Sequence, residues 1–297
     1  MTMTAEMIAD YACATGENPL WHTEEESLYW TDIPTGQLFR YAAARGEHEQ
    51  IYSGRRVGGF TFQEGGGLLL FMDRGTIALW KDGALTELVE DIAAERESRF
   101  NDVIADPRGR VFCGTMSTDA GSGDASKGRL YRLDGDGSLH VVLEGIGCAN
   151  GMAFTPDRRG FYFTDSFARE IYLFDYEEAT GAISNRRVFA RLAESDGLPD
   201  GMTIDGEGRV WSALWDGRAI VRFSEQGEIV ERYALPVPKV SSLTFAGEGL
   251  SELYITTAGG DQKEVDGPLA GALFRMKTPY RGLAEFRSRV VIPGRPG

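Results

Sequence analysis

Apolar and polar positions alternate along this chain in short runs, and the runs recur in one order six times. Each copy opens on an apolar strand that ends in a small turn. A second strand rich in aromatics follows, then a third that closes on Tyr or Phe beside Arg, Lys or Asp. The second and third strands are predicted at SLYWTDI (27–33) with QLFRYAA (37–43), GLLLFMD (67–73) with TIALWKD (76–82), and RVFCGTM (110–116) with RLYRLD (129–134). GFYFTDS (160–166) pairs with EIYLFDY (170–176), RVWSALW (209–215) with AIVRFS (219–224), and ELYITTA (252–258) with ALFRMK (272–277). Aromatic and β-branched residues fill these runs and turn formers bound them. DPRGR, TPDRRG, DGEGR and TEEES read as the tight turns between first and second strands. No segment sustains a 3.6-residue apolar period, and EDIAAERE (90–97) gives only a short helical stretch.

The copies start near Glu17, Gly58, Asn101, Asn150, Asp200 and Ser241. Their spacing of about 41 to 50 residues is that of a four-stranded propeller blade. The pattern predicts an all-β fold, a six-bladed β-propeller formed by one domain over residues 1–297, because no blade buries its faces without its neighbours. MIADYACA (7–14) precedes the first blade as a lone strand. It is expected to supply the outer strand of the last blade and so close the ring, removing an exposed edge. SRVVIP (288–293) competes for that place. STDAGSGDASKG (117–128) and GGDQKEVDGPLAG (259–271) interrupt the rhythm between second and third strands, where insertions shape the entrance to a propeller site.

Equivalent positions in a cyclic repeat point to one place. Four copies carry an oxygen-bearing side chain there: Glu17 in GENPLW, Asn101 in NDVIADPRGRVFCGTM, Asn150 in NGMAFTPDRRGFYFTDS and Asp200 in DGMTIDGEGRVWSALW. Taken singly, Asn-Gly, Asp-Gly and Asn-Asp are turn formers. Four at repeat-equivalent positions instead predict a central metal site. Carboxylates and amide carbonyls are hard donors that suit Ca²⁺, Mg²⁺ or Mn²⁺. Such a cation polarises an ester carbonyl, and a neighbouring carboxylate can take a proton from water. Asp200 is the candidate base, since Asp-Gly on a tight turn would expose its carboxylate. Arg99, two residues before Asn101, is placed to bind hydroxyls or a developing oxyanion.

Composition narrows the alternatives. The net charge is −14, from 31 basic and 45 acidic residues, which disfavours nucleic acid or an anionic membrane as partner. No run approaches the roughly 18 apolar residues of a membrane span, and the N-terminus lacks a basic leader segment, so a cytoplasmic protein is expected. Cys13, Cys113 and Cys148 are far apart, without a disulfide or zinc-finger spacing. Cys148, two residues before Asn150, is a candidate for the pocket wall. The three histidines, His22, His48 and His140, fall in turn or outer-strand contexts, and HExxH, GxSxG and P-loop motifs are absent.

GENPLWH, SLYWTDIPTGQLFRY, SRFNDVIADPRGRVFCGTM, NGMAFTPDRRGFYFTDS, TGAISNRRVF and PDGMTIDGEGRVWSALW occur in order at propeller spacing. With these motifs the chain resembles the senescence marker protein/regucalcin/gluconolactonase family over essentially its whole length. The resemblance implies one divalent cation, calcium first, with zinc, manganese, magnesium or iron as others, held by Glu17, Asn150 and Asp200. It implies substrate contacts at Arg99 and Asn101, with Asp102 beside them, and a further acidic contact near Asp119, where relatives often carry Glu. It also implies Asp200 as base, and hydrolysis of sugar lactones, gluconolactone or pentonolactone, to aldonic acids by a cytosolic enzyme; with no exposed strand edge or coiled coil in the sequence, a monomer is expected. Two other readings stay open. One is an organophosphate or aryl ester hydrolase, which an aromatic-lined pocket would favour. The other is a calcium-binding protein without catalysis, which a fully enclosed cation would favour.

Overall fold

A computed structural model describes residues 3–118 and 127–292. Among the described residues the strands form six four-stranded antiparallel sheets, a six-bladed β-propeller. The inner strands are Gly16–His22, Val57–Phe62, Ser98–Ala105, Ala149–Phe154, Leu198–Ile204 and Val240–Ala246. Burial falls outward across each blade. In the first, the second strand Ser27–Asp32 is wholly buried, while the fourth, Glu47–Ser53, is largely exposed. This gradient is why the second strands read as largely apolar, aromatic-rich runs and the fourth strands as polar ones.

Each hydrophobic cluster straddles two neighbouring sheets. Phe112 of the third blade packs with Phe154, Phe161 and Phe174 of the fourth, and Trp211 of the fifth with Val240, Leu253 and Phe274 of the sixth. Burying one such side chain contributes roughly 1.5–3 kcal/mol. Blade cohesion therefore comes from side-chain packing. Among the described residues the backbones of neighbouring sheets meet at isolated bridges, such as Thr15 with Ala258, Asp73 with Arg99 and Met116 with Cys148, and at single hydrogen bonds such as Arg218 N to Pro238 O (3.1 Å).

That observation corrects the expected architecture. Among the described residues no ladder runs from sheet to sheet, so the sheets are not joined into one closed, hydrogen-bonded ring. The N-terminal strand does take its expected place: Glu6–Asp10 pairs antiparallel with Ala272–Lys277 as the outer strand of the sheet that contains Val240–Ala246. The expected central metal site is not a cluster of acidic, His or Cys ligands: among the described residues no three His, Cys, Asp or Glu side chains group to hold a metal. Residues 288–292 form no strand of a sheet. They run beneath the blades, where Gln63 Nε2 donates to Val290 O (2.8 Å), Arg289 N to Gly109 O (2.8 Å) and Val291 N to Gly135 O (2.8 Å). The 90–97 stretch contains a single 3₁₀ turn, Ala93–Glu95. No helix of the described residues is long and apolar enough to cross a membrane.

The turns between first and second strands are as expected, and one carries a buried charge network. Asp205 accepts from the backbone N–H of Glu207 and Arg209, from Trp211 Nε1 (3.0 Å) and from Arg222 Nε (2.9 Å). Asp205→Ala leaves the Arg222 guanidinium without its buried partner. It is expected to cost about 3–5 kcal/mol, read as a lower urea midpoint at unchanged m-value.

Candidate active site

Pairing in all six inner strands shifts register near the start, at Glu17/Leu20, Val57/Gly59, Phe100/Val103, Asn150/Met152, Pro199/Met202 and Val240/Ser242. A bulge adds a residue without a ladder partner and re-aims side chains. Repeated six times round an axis, it turns Glu17, Asn101, Asn150 and Asp200 towards one pocket. Asn150-Gly151 and Asp200-Gly201 are therefore not tight turns but lie within strands. Their glycines serve close approach instead: a Cβ on Gly151 would lie 2.5 Å from Asp200 O, and one on Gly201 would lie 2.1 Å from Ser242 Oγ. Asp200 is accordingly buried, not exposed on a turn.

The pocket is a cavity of about 230 Å³ at the end of the axis where the inner strands begin. Glu17, Arg99, Asn101, Asn150 and Asp200 all line it, as does Cys148. Arg99 Nη1 donates to Asn101 Oδ1 (2.6 Å) and to Phe100 O (3.0 Å), and Asn101 Nδ2 donates to Ala149 O (2.8 Å). Asn150 Nδ2 donates to Ser166 Oγ (3.1 Å), which in turn donates to Pro199 O (2.7 Å). This relay fixes the amide, and its oxygen, Asn150 Oδ1, is left buried without a hydrogen-bond partner. Glu17 Oε2 accepts from Asn18 N (3.0 Å).

Charge is crowded here. Burial, then the nearby Asp102 carboxylate, pushes Glu17 up to about 8. Burial, then Glu17, pushes Asp200 well above the carboxylate range. Arg99 is pulled down by burial, with the neighbouring anions opposing. Burial raises the Cys148 thiol to about 12, so it is an inert wall rather than a nucleophile.

Asp102 does not join this pocket. It lines a separate cavity further along the axis with Asn18, Thr61, Ser242 and Glu285. Asp119 lies outside the described residues, as does most of the 117–128 loop. Six lining residues had escaped the sequence reading: Thr15, Met116, Ser166, Phe167, Leu198 and Trp215. Ser166 and Trp215 stand at the ends of second strands, so the repeat logic that picked out first-strand residues would also have found them. The 259–271 segment is folded, with a 3₁₀ turn Gly260–Gln262 and one helical turn Lys263–Asp266. It is tied down by Gly260 N to Cys13 O (2.9 Å) and by the Lys239–Asp266 ion pair (2.6 Å).

A propeller whose inner-strand bulges gather carboxylates, amides and an arginine in one axial pocket defines a class of protein. The chain matches the SMP-30/gluconolactonase/LRE-like family over residues 15–259 and belongs to that family. It is 45% identical over 295 residues to a pentonolactonase of Haloferax volcanii, covering 97% of this chain and 99% of that one. Over 290 residues it is 32% identical to a 6-deoxy-6-sulfogluconolactonase of Pseudomonas putida, covering 96% and 98% of the two chains. Among solved structures, a luciferin-regenerating enzyme superposes with a TM-score of 0.89 at 29% identity, covering 97% of this chain and all (100%) of that one. Family and fold together point to a hydrolase of the lactonase type.

Proposed function

We propose that the protein hydrolyses a sugar lactone of the pentonolactone or gluconolactone type to its aldonic acid, with a divalent cation bound by Glu17, Asn150 and Asp200. The observation that carries the reading is the buried, unpartnered Asn150 Oδ1 in a pocket shared with two buried carboxylates of raised pKa. An orphan acceptor and two crowded anions are each costly without a cation. The donors are hard oxygens and number only three, so they open on the cavity rather than enclosing an ion. That argues against a binding role without chemistry.

The cation would supply positive charge to polarise the lactone carbonyl. Asp200 accepts a proton from water as the water oxygen bonds to the acyl carbon. The ring C–O bond breaks, and Asp200 returns the proton to the leaving ring oxygen, which becomes a hydroxyl. Arg99 and Asn101 hold the sugar hydroxyls, and their mutual hydrogen bond keeps both side chains in place before substrate arrives. Two similarities favour a sugar: the pentonolactonase, which names pentonolactones, and the sulfogluconolactonase, which names a modified gluconolactone.

The test is hydrolysis of an aldonolactone panel by chelator-stripped protein, each divalent cation being added back in turn. Saturable turnover of one sugar lactone, restored by one cation, is the expected outcome. Turnover equally fast in excess chelator would remove the cation from the reading, and no turnover above the spontaneous rate with any cation would remove the lactone.

A further inference from the structure

The pocket has two unlike sides. One presents Arg99, Asn101 and the carboxylates. The other presents Phe167, in the turn after Gly160–Asp165, and Trp215, with Leu198 paired directly opposite Trp215. Phe167 is 43% exposed, and Trp215 is half-buried. Among the described residues neither ring packs on another aromatic ring. The Trp215 indole N–H has no protein acceptor there either. Large rings left bare beside a polar site are normally covered by something, and a flat π-face with a free donor at its edge suits an amphipathic ligand.

Trp215 is also held from behind. The Lys239 ammonium stands 5.8 Å from the Trp215 ring centroid and pairs with Asp266 at 2.6 Å. Asp266 is buried at the end of the helical turn in the 259–271 segment. It reaches Lys239 across Gly259, where a Cβ would lie 2.2 Å from Asp266 Oδ2 and φ is +85°. The segment thus acts as a buttress behind the pocket wall.

We propose that Phe167 and Trp215 are specificity-determining residues that take the apolar C–H face of a polyhydroxylated lactone ring, and that the Asp266–Lys239 pair is a positioning device for Trp215. This rests on the sugar-lactone reading and deepens it. A sugar ring has hydroxyls round its edge and C–H bonds on its face. Arg99 and Asn101 meet the edge while the two rings meet the face. A cavity of about 230 Å³ lies below the usual span of about 300–1,000 Å³ for drug-sized ligands, and suits one sugar ring.

Two measurements test it. The first is kcat and KM of wild type, Phe167→Ala, Trp215→Ala and Asp266→Asn on a pentonolactone, gluconolactone and phenyl acetate. Each ring truncation is expected to raise KM for the sugar lactone about tenfold, with a smaller fall in kcat. Asp266→Asn is expected to raise it about threefold, with Asp266→Glu restoring it. The second measurement needs no turnover: titration of tryptophan emission with gluconolactam, a ring that cannot be hydrolysed as a lactone. A change in emission that Trp215→Phe abolishes supports the wall even if no lactone is cleaved, and so separates this proposal from the hydrolase reading. The proposal is overturned if the lactam binds without a Trp215 signal, if it does not bind at all, or if truncation lowers phenyl acetate cleavage while sugar-lactone KM is unmoved. The last result would assign the wall to an aryl ester.

Discussion

Asp200→Asn is expected to lower lactone turnover by about 10²–10⁴-fold, the range for loss of a positioned general base, while the folded protein becomes more stable rather than less. The two effects have one cause. Asp200 is buried beside Glu17, and burial together with that like charge makes its ionised form expensive. Asparagine has the same shape and keeps an oxygen donor, but it carries no charge and cannot accept a proton. The substitution therefore removes repulsion from the resting protein along with the chemistry, as expected where function is built on an unfavourable arrangement. Turnover is read with the lactone identified by the panel, and stability from a urea titration without cation. Turnover within tenfold of wild type would eliminate Asp200 as the base. A lower urea midpoint would contradict the electrostatic account of the pair.

Much of the scaffold is legible in the sequence because its period is imposed by burial. Second strands such as Gly160–Asp165 are buried on both faces, so they are largely apolar, with polar residues such as Thr164 and Asp165 at one end, and Asp106 and Asp205 mark turns that need a side-chain acceptor for backbone N–H groups. Four pocket residues followed from equivalence in the repeat. Their backbone setting did not: Asn-Gly and Asp-Gly fit a turn and a bulged strand equally well, and only the approach of neighbouring inner strands decides between them. Asp102 shows the limit of reading by adjacency, since the residue after Asn101 faces a different cavity. Ring closure was inferred from the lone strand before the first blade, which completes the sixth sheet without joining the sheets to one another, and the metal site was inferred from symmetry. Symmetry places residues near an axis, but it does not supply the third acidic ligand of a carboxylate cluster. SRVVIP (288–293) stood as a competing strand because short apolar runs read as strands whether they pair with a sheet or, as residues 288–292 do, cross beneath it.

Without cation, the protein is expected to lose stability as pH rises from about 4 to about 8. Glu17 titrates near 4.3 in an unfolded chain but only at about 8 when folded, because of burial and the Asp102 carboxylate. Asp102 is itself pushed up to about 7 by burial. Through this window the folded state binds more protons than the unfolded state, so the slope of unfolding free energy against pH is negative. Stability is greatest below the unfolded pKa and is lost as pH rises towards the folded one. The loss from Glu17 alone is on the order of a few kcal/mol, a fall in Tm of roughly 5–10 °C for a chain of this size. Adding Ca²⁺ should reverse the trend, because a cation binds the carboxylates only when they are deprotonated and stabilises by mass action. The Tm gain on adding Ca²⁺ should therefore be larger at pH 8 than at pH 5, and Glu17→Gln should flatten both the pH slope and the calcium response. Scanning calorimetry in chelator and in Ca²⁺ at both pH values reads the four quantities together. A chelated protein that gains stability between pH 4 and 8 would mean that the axial carboxylates are not held protonated. An equal calcium response at both pH values would mean that the cation binds elsewhere.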